Sequence, residues 1–248
     1  MDGLDKDALD RARGELSEAG KLRVGINLGN ILLVTGKSAS GAPQGVAPDL
    51  AAEAARRLGV DIVYRTYPMP GELADGLARD EWDIGLIAVE PKRAETIAFC
   101  APYVEIEGSY LVPAGSPLKA IADVDRPGVR IAVANRAAYD LYLTRSLKHA
   151  ELCRAEGLGG ALDLFVTEKL DALAGLKPAL LENAAKVPGA RVLDGNFSTV
   201  GQAIGTKPRN TALKAFLDGF TADAVRSGLV ARLIDKHGVT GKLKPAGG

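Results

Sequence analysis

Histidine and cysteine, which supply many catalytic and metal-binding groups, are nearly absent from this sequence. The only imidazoles are His149 and His237, which lie far apart, and neither belongs to a CxxC or HExxH pattern. We therefore predict no metal site and no cofactor. Cys100 and Cys153 are the only thiols. We interpret them as small buried hydrophobic residues, and a disulfide or a reactive thiol remains as an alternative.

Three glycine-containing segments resemble enzyme motifs but are incomplete. Gly36-Lys37-Ser38 ends like a phosphate-binding loop, yet the position that needs the first glycine of that loop is Ile31. The segment that begins at Gly157 lacks the last glycine of a dinucleotide-binding fingerprint, and the one around Ser38 lacks the closing glycine of a nucleophile elbow. Hydrolase chemistry is therefore disfavoured.

Composition excludes further classes of function. The chain has 248 residues with 31 basic and 31 acidic side chains, and no run of like charges forms a tail. Nucleic acid is therefore not an expected partner. No apolar run approaches the roughly 18 residues that span a bilayer. Residues 1–7 have no basic segment followed by an apolar one, so we expect either a cytoplasmic protein or one whose signal sequence has been removed.

The alternation of short apolar runs with amphipathic segments predicts an α/β protein with a mainly parallel sheet. An opening helix is predicted from Asp5 to Ala19, a strand over Lys21–Asn27, and a helix from Val46 that ends at Gly59. The run from Asp83 to Val89 is apolar after its first residue, which is typical of a strand buried on both faces. Further predicted strands are 62–64, 110–112, 130–134, 173–174, 192–193 and 202–205, and further helices are 72–78, 138–148, 160–170, 178–185, 211–226 and 229–234.

The order of these segments resembles the periplasmic solute-binding proteins of the amino-acid type, extracellular solute-binding protein family 3. The segment from Pro91 through Arg93 and Phe99 to Pro102-Tyr103 carries the most specific part of the resemblance. The remaining matching segments are Leu22-Arg-Val-Gly-Ile-Asn27, Gly45-Val-Ala-Pro-Asp-Leu-Ala51, Arg57-Leu-Gly-Val60, Trp82-Asp-Ile84, Gly201–Gly205 and Leu213–His237.

This resemblance implies the type II periplasmic binding fold, with two α/β lobes joined by two crossing hinge strands. Lobe one would comprise residues 21–109 and 200–240, lobe two residues 110–199, with an N-terminal helical extension over 1–20 and a tail over 241–248. One small ligand would lie in the cleft between the lobes. The resemblance further implies a monomeric, periplasmic substrate-binding component that delivers its ligand to the membrane subunits of an ABC importer. We therefore expect a protein that is not an enzyme.

In lobe one, the resemblance implies that Arg93 corresponds to the arginine that binds the carboxylate of the ligand. A planar guanidinium can form two hydrogen bonds to a carboxylate. We expect this side chain to be exposed to solvent in the absence of ligand, with few contacts that stabilise the fold. A solvated surface arginine is the alternative. Met69 corresponds to an aromatic clamp, or it fills a gap in the core. The implied ligand-binding residues of this lobe are Asn27, Asn30, Met69, Ala88, Glu90 and Arg93.

In lobe two, the resemblance places an anion at the start of a helix, where backbone N–H groups attract negative charge. The implied residues are Asn135, Arg136, Ala137, Ala138 and Tyr139. The acid that pairs with an α-ammonium group in amino-acid binders corresponds here to Leu176. Because a buried ammonium without an anionic partner is unfavourable, we predict a small polar or carboxylate-bearing ligand other than a standard α-amino acid.

Two alternatives remain open. The first is an enzyme on the same scaffold, similar to the cyclohexadienyl dehydratases, in which a desolvated glutamic acid protonates a departing hydroxyl group. Glu90, Glu105 and Glu107 are the acids near the expected site, and Glu105 or Glu107 is also interpreted as part of an exposed strand edge. The second alternative is the ligand-sensing module of a larger receptor.

Overall fold

The computed structural model describes residues 6–247 as a mixed α/β protein, as the sequence predicts. Helices α1 to α9 span Lys6–Gly14, Val46–Leu58, Pro70–Gly76, Pro91–Ala94, Ala138–Ser146, Gly157–Thr167, Lys177–Ala184, Thr211–Arg226 and Leu229–Lys236. Strands β1 to β13 span Lys21–Asn27, Gly36–Lys37, Pro43–Gln44, Asp61–Tyr67, Ile84–Ala88, Ala98–Phe99, Val104–Val112, Arg130–Ala134, Glu151–Ala155, Ala172–Leu176, Arg191–Val192, Ser198–Thr206 and Lys244–Pro245. Among residues 6–247, no helix has the length and apolarity that crossing a membrane requires.

The chain divides into two compact units. Unit 1 runs up to Glu105 and resumes at Gly201, and unit 2 comprises Ile106–Val200. The chain therefore passes from unit 1 to unit 2 within β7 and returns to unit 1 within β12. Residues 1–5 of the predicted N-terminal extension and Gly248 of the predicted tail lie outside the described residues.

The central strands of unit 1 run parallel to one another. Strand β1 pairs in parallel with β4 on one side and with β5 on the other, and β12 runs antiparallel to β5. All five residues of β5 are buried, which agrees with the apolar run in the sequence. Parallel neighbours end at the same edge, so the segments that follow β1, β4 and β5 share one edge of this sheet.

The bounds of helix α2 follow from its local sequence. Its apolar face, which includes Leu50, Ala54 and Leu58, is fully buried. The helix ends where Gly59 adopts a left-handed conformation with φ of 72°, and the N–H of Gly59 donates to the carbonyls of Ala55 and Arg56. Amphipathic spacing and a terminal glycine are therefore sufficient to predict both ends of α2.

Unit 2 is also built around parallel strands. Strand β8 lies between β9 and β10 and is parallel to both, and β7 is antiparallel to β10. The sequence analysis missed β9, which consists of Glu151–Ala155 and has no fully buried residue. Strand β9 forms because all five of its residues pair with β8, and the apolar pattern that identifies internal strands is weak at such an edge.

The predicted opening helix was too long, because α1 ends at Gly14 rather than Ala19. The residues that follow make tertiary contacts in place of helical ones. The carboxylate of Glu15 accepts from the backbone N–H groups of Ala212 and Leu213 at the start of α8, at 3.1 and 2.8 Å. The backbone N–H of Ser17 donates to Asp83 at 3.1 Å. The segment after α1 is therefore an integral part of unit 1.

Asp83 is the centre of a buried ionic cluster at the start of β5. Its fully buried carboxylate accepts from the Arg23 guanidinium at 2.9 and 3.2 Å and from the backbone N–H of Arg23 at 2.9 Å. Burial alone would raise the pKa of the Asp83 carboxyl, but hydrogen bonds from Arg23 and from the Ser17 backbone outweigh burial and lower the pKa below its usual value. Lys207 and Asp80 complete the cluster as an ion pair.

Candidate functional site

The residues predicted for lobe one lie around the shared edge where β1, β4 and β5 end. Asn27 is the last residue of β1, and Ala88 is the last residue of β5. Met69 follows β4, where it is the half-buried residue that precedes α3. The edge formed by the carboxyl ends of parallel strands is where open α/β sheets bind ligands. In unit 1 the structure thus brings together elements that are separated in sequence.

Two asparagine side chains at this edge bond to their own loop. The amide oxygen of Asn27 accepts from the backbone N–H of Gly29 at 3.0 Å. That of Asn30 accepts from the N–H of Leu32 at 3.2 Å, and Asn30 itself is buried. Short-range bonds of this kind hold a turn in one conformation. These contacts assign both side chains a part in shaping the loop that follows β1.

Arg93 is buried, which contradicts the expectation of an exposed side chain with few contacts. Only 5% of its surface is accessible, and its Nη1 donates to the carbonyl of Ala88 at 2.9 Å. The short helix α4 explains this burial. Helix α4 begins directly after β5, and its single turn brings Arg93 back to the end of that strand. Because α4 spans only Pro91–Ala94, the sequence analysis did not identify it.

Glu90 is also buried rather than exposed to solvent. It is 2% exposed and precedes α4, where its carboxylate accepts from the backbone N–H of Lys92 at 2.9 Å. Asp and Glu at the start of a helix commonly make such contacts, which satisfy N–H groups that have no helical acceptor. Glu90 and Arg93 therefore form the two ends of one buried turn.

Two exposed hydrophobic side chains at the same edge were not identified from the sequence. Ile31, in the loop after β1, is 48% exposed, and Val89, directly after β5, is 36% exposed. Both follow residues predicted for the site, Asn30 and Ala88. In contrast, Leu32, which follows Ile31, is buried. An apolar pattern cannot reveal such residues, because exposure depends on the path of the loop.

In unit 2, the predicted residues form the turn between β8 and α5. Asn135 donates through its Nδ2 to the carboxylate of Glu156 at 3.0 Å. Arg136 is a non-glycine residue with a positive φ of 58°, a conformation that most residues avoid. Ala137 precedes the first residue of α5, Ala138, and has no side chain that could cap the helix. The side chain of Tyr139 is buried in the first turn.

Asp140 holds this turn, and the sequence analysis did not include it. Its carboxylate, on a residue that is 2% exposed, accepts from the backbone N–H of Arg136 at 2.8 Å and from the Nε of Arg154 at 3.0 Å. The spacing of four residues between Arg136 and Asp140 is the available sequence signal. That signal is weak, because an acid in the first turn of a helix is common.

Leu176, which the family resemblance places at the position of the acid of amino-acid binders, has a side chain that is itself apolar and buried. Leu176 is the last residue of β10 and is buried, with 7% of its surface accessible. The next residue, Lys177, is a cation whose Nζ lies 3.1 Å from the Glu107 carboxylate. Glu107 and Glu105 are both partly buried in β7 rather than fully exposed at a strand edge. Glu107 is thus an ion-pair partner of Lys177.

The two cysteines differ in their exposure to solvent. Cys100 and Cys153 are free thiols, and Cys100 is buried. Burial raises the pKa of Cys100 to about 12, which disfavours the reactive thiolate. Within the described residues, no group of three or more His, Cys, Asp or Glu side chains is placed to hold a metal ion.

A match to a family model over most of the sequence identifies the family of this protein. The sequence model of the bacterial extracellular solute-binding proteins, family 3, matches residues 22–240. The chain belongs to this family. No curated protein matches the sequence. Members of family 3 are solute-binding proteins rather than enzymes, so the chain is a binding protein for a small molecule.

Solved structures of this kind share the fold. A mutant of the arginine-binding protein ArgBP from T. maritima is 22% identical, with a TM-score of 0.74 over 92% of this chain and 98% of that one. A binding component of an ABC transporter from Wolinella succinogenes, complexed with lysine, is 23% identical, with a TM-score of 0.75 over 88% and 96%. The ancestral amino acid-binding protein AncCDT-1, a precursor of cyclohexadienyl dehydratase, is 20% identical, with a TM-score of 0.74 over 92% and 97%. The predicted two-lobed type II periplasmic binding protein fold is therefore confirmed.

Proposed function

We propose that this family 3 protein is the periplasmic substrate-binding component of an ABC importer and binds a small carboxylate-bearing metabolite other than a standard α-amino acid. The observation that carries this proposal is the buried Arg93 at the carboxyl edge of unit 1, held against the carbonyl of Ala88. A guanidinium presents its N–H donors in a planar fork that suits a carboxylate. We further propose that the protein acts as a monomer.

The buried Leu176 supports the second half of the proposal. An α-ammonium group placed beside an apolar side chain loses its hydration without gaining an anionic partner. The next residue, Lys177, is a cation paired with Glu107, so it supplies no anionic partner for such an ammonium group either. The helix that begins at Ala138 adds a second position in unit 2 at which backbone N–H groups favour an anion.

Calorimetry with the purified protein tests both halves. We expect 2-oxoglutarate or succinate to bind more tightly than any of the twenty standard amino acids. Mass spectrometry of small molecules released on denaturation identifies the natural ligand independently. Micromolar or tighter binding of a standard amino acid would contradict the exclusion of amino acids. Stimulation of ATP hydrolysis by the assembled cognate importer separates an importer component from a sensor.

Arg93→Lys tests the carboxylate contact while it retains the positive charge. Lysine cannot form the bidentate contact of a guanidinium, so affinity for the tightest carboxylate should fall at least about tenfold. Arg57→Lys is the matched control, because Arg57 is also a partly buried arginine of unit 1 but pairs with Glu53 and Asp223. Equal affinities of the two variants would remove Arg93 from the site.

A further inference from the structure

Ile31 and Val89 are unusual among the hydrophobic residues of this protein. Of residues 6–247, four large hydrophobic side chains are at least 36% exposed. Two of them, Val166 in α6 and Leu181 in α7, lie on helices of unit 2. The other two, Ile31 and Val89, both lie at the edge of unit 1 that carries the candidate site.

Hydrogen bonds of the backbone hold Ile31 in place. The N–H groups of Leu33 and Val34 donate to the carbonyl of Asn30 at 3.0 and 2.9 Å. The Asn30 side chain bonds to the N–H of Leu32, as described above. Leu32, Leu33 and Val34 are buried, whereas Ile31 in the same hydrogen-bonded turn is exposed to solvent. The exposure of Ile31 is thus a property of an ordered turn.

Val89 is fixed in a similar way. Its backbone N–H donates to the carbonyl of Gly201 on the neighbouring strand at 2.8 Å. The residues on either side, Ala88 and Glu90, are 7% and 2% exposed, so the chain is buried before and after this one side chain. A β-branched side chain loses little conformational freedom on contact with a ligand, because few rotamers are accessible to it beforehand.

We propose that Ile31 and Val89 bind the apolar part of the ligand, so that the ligand is a carboxylic acid with an aliphatic or aromatic body. This inference rests on the proposed function for its carboxylate group. Val89 directly follows Ala88, whose carbonyl accepts a hydrogen bond from Arg93. Ile31 lies in the loop after β1, the strand that pairs with β5. Binding sites for small molecules combine predominantly apolar contacts with a few placed polar groups, and Arg93 supplies the polar group here.

A chain-length series tests the apolar contact directly. We would titrate the protein with acetate, butanoate and hexanoate by calorimetry. Each methylene that becomes buried should strengthen binding about fourfold, and the heat capacity of binding should become more negative with chain length. Affinities that stay equal from acetate to hexanoate would overturn the inference.

Four variants locate the contact. Ile31→Ser and Val89→Thr should each reduce the gain in affinity between butanoate and hexanoate. Leu181→Ser and Val166→Thr are the matched controls, since they make the same kinds of substitution at exposed hydrophobic residues of unit 2. An unchanged chain-length gain in Ile31→Ser and Val89→Thr, or an equal loss in the controls, would overturn the inference.

The uncharged butanamide and hexanamide separate this inference from the proposed function. If hexanamide binds as tightly as hexanoate and depends on Ile31 and Val89, the apolar contact is confirmed and the carboxylate contact is wrong. If acetate binds through Arg93 but longer acids bind no better, the apolar contact is wrong and the carboxylate contact stands. Failure of both hexanoate and hexanamide to bind would overturn both.

Discussion

Replacement of Asp83 by alanine is expected to be among the most destabilising changes in unit 1. The substitution removes the carboxylate that accepts from the Arg23 guanidinium and from the backbone N–H groups of Arg23 and Ser17. The Arg23 side chain is only 13% exposed, so its charge remains largely desolvated after its acceptor is lost. Removal of one partner of a buried ion pair typically costs about 3–5 kcal/mol. For a protein of this size, that loss lowers Tm by at least about 6 °C.

Asp10→Ala is the matched control in the same unit. Asp10 also pairs with an arginine, Arg13, at 2.7 Å, but its side chain is 52% exposed and that of Arg13 is 36% exposed. Exposed ion pairs contribute about 0–1 kcal/mol, so the control should unfold close to the wild-type midpoint. Urea unfolding followed by circular dichroism measures both variants. Equal destabilisation by the two variants would refute the argument from burial.

The lowered pKa of Asp83 predicts how its contribution to stability changes with pH. Because the folded-state pKa of Asp83 lies below its unfolded value, the folded protein holds its proton less tightly than the unfolded chain does. The stabilisation from Asp83 is therefore fully present above the ordinary aspartate pKa of about 3.9 and is lost as the pH falls through the folded pKa. The stability difference between wild type and Asp83→Ala should be constant near neutral pH and should shrink below about pH 4.

Three shorter predictions concern other parts of unit 1 and the thiols. Glu15→Ala should destabilise the protein by about 1–2 kcal/mol in urea unfolding, because its carboxylate caps the first N–H groups of α8. Gly45→Ala should be far more destabilising than Gly41→Ala: both glycines have a positive φ, but an added Cβ at Gly45 overlaps the neighbouring backbone, whereas at Gly41 it meets nothing within 4 Å. Ellman's reagent at pH 8 should modify the partly exposed Cys153 before Cys100, whose pKa burial raises to about 12, and faster reaction of Cys100 would contradict the burial described here.

Sequence alone determined the elements whose signals are local. Helix α2 and strand β1 have the predicted bounds, because amphipathic spacing, strand alternation and the left-handed Gly59 act within a few residues. The family and its fold also followed from the order of short motifs along the chain, since that order reflects the order of strands and helices. The presence of Leu176 at the position of an acid was likewise visible without a structure.

Tertiary structure decided which side chains are buried and which are exposed to solvent. Arg93 is buried because α4 turns it back onto the end of β5, and Ile31 is exposed because the loop after β1 buries the residues that follow it. Helix α1 ends early because Glu15 meets the start of α8, nearly two hundred residues later in the chain. Contacts of this range depend on how the elements pack. Since packing is absent from any local pattern, sequence could name Arg93 as a site residue but could not predict the environment of its guanidinium.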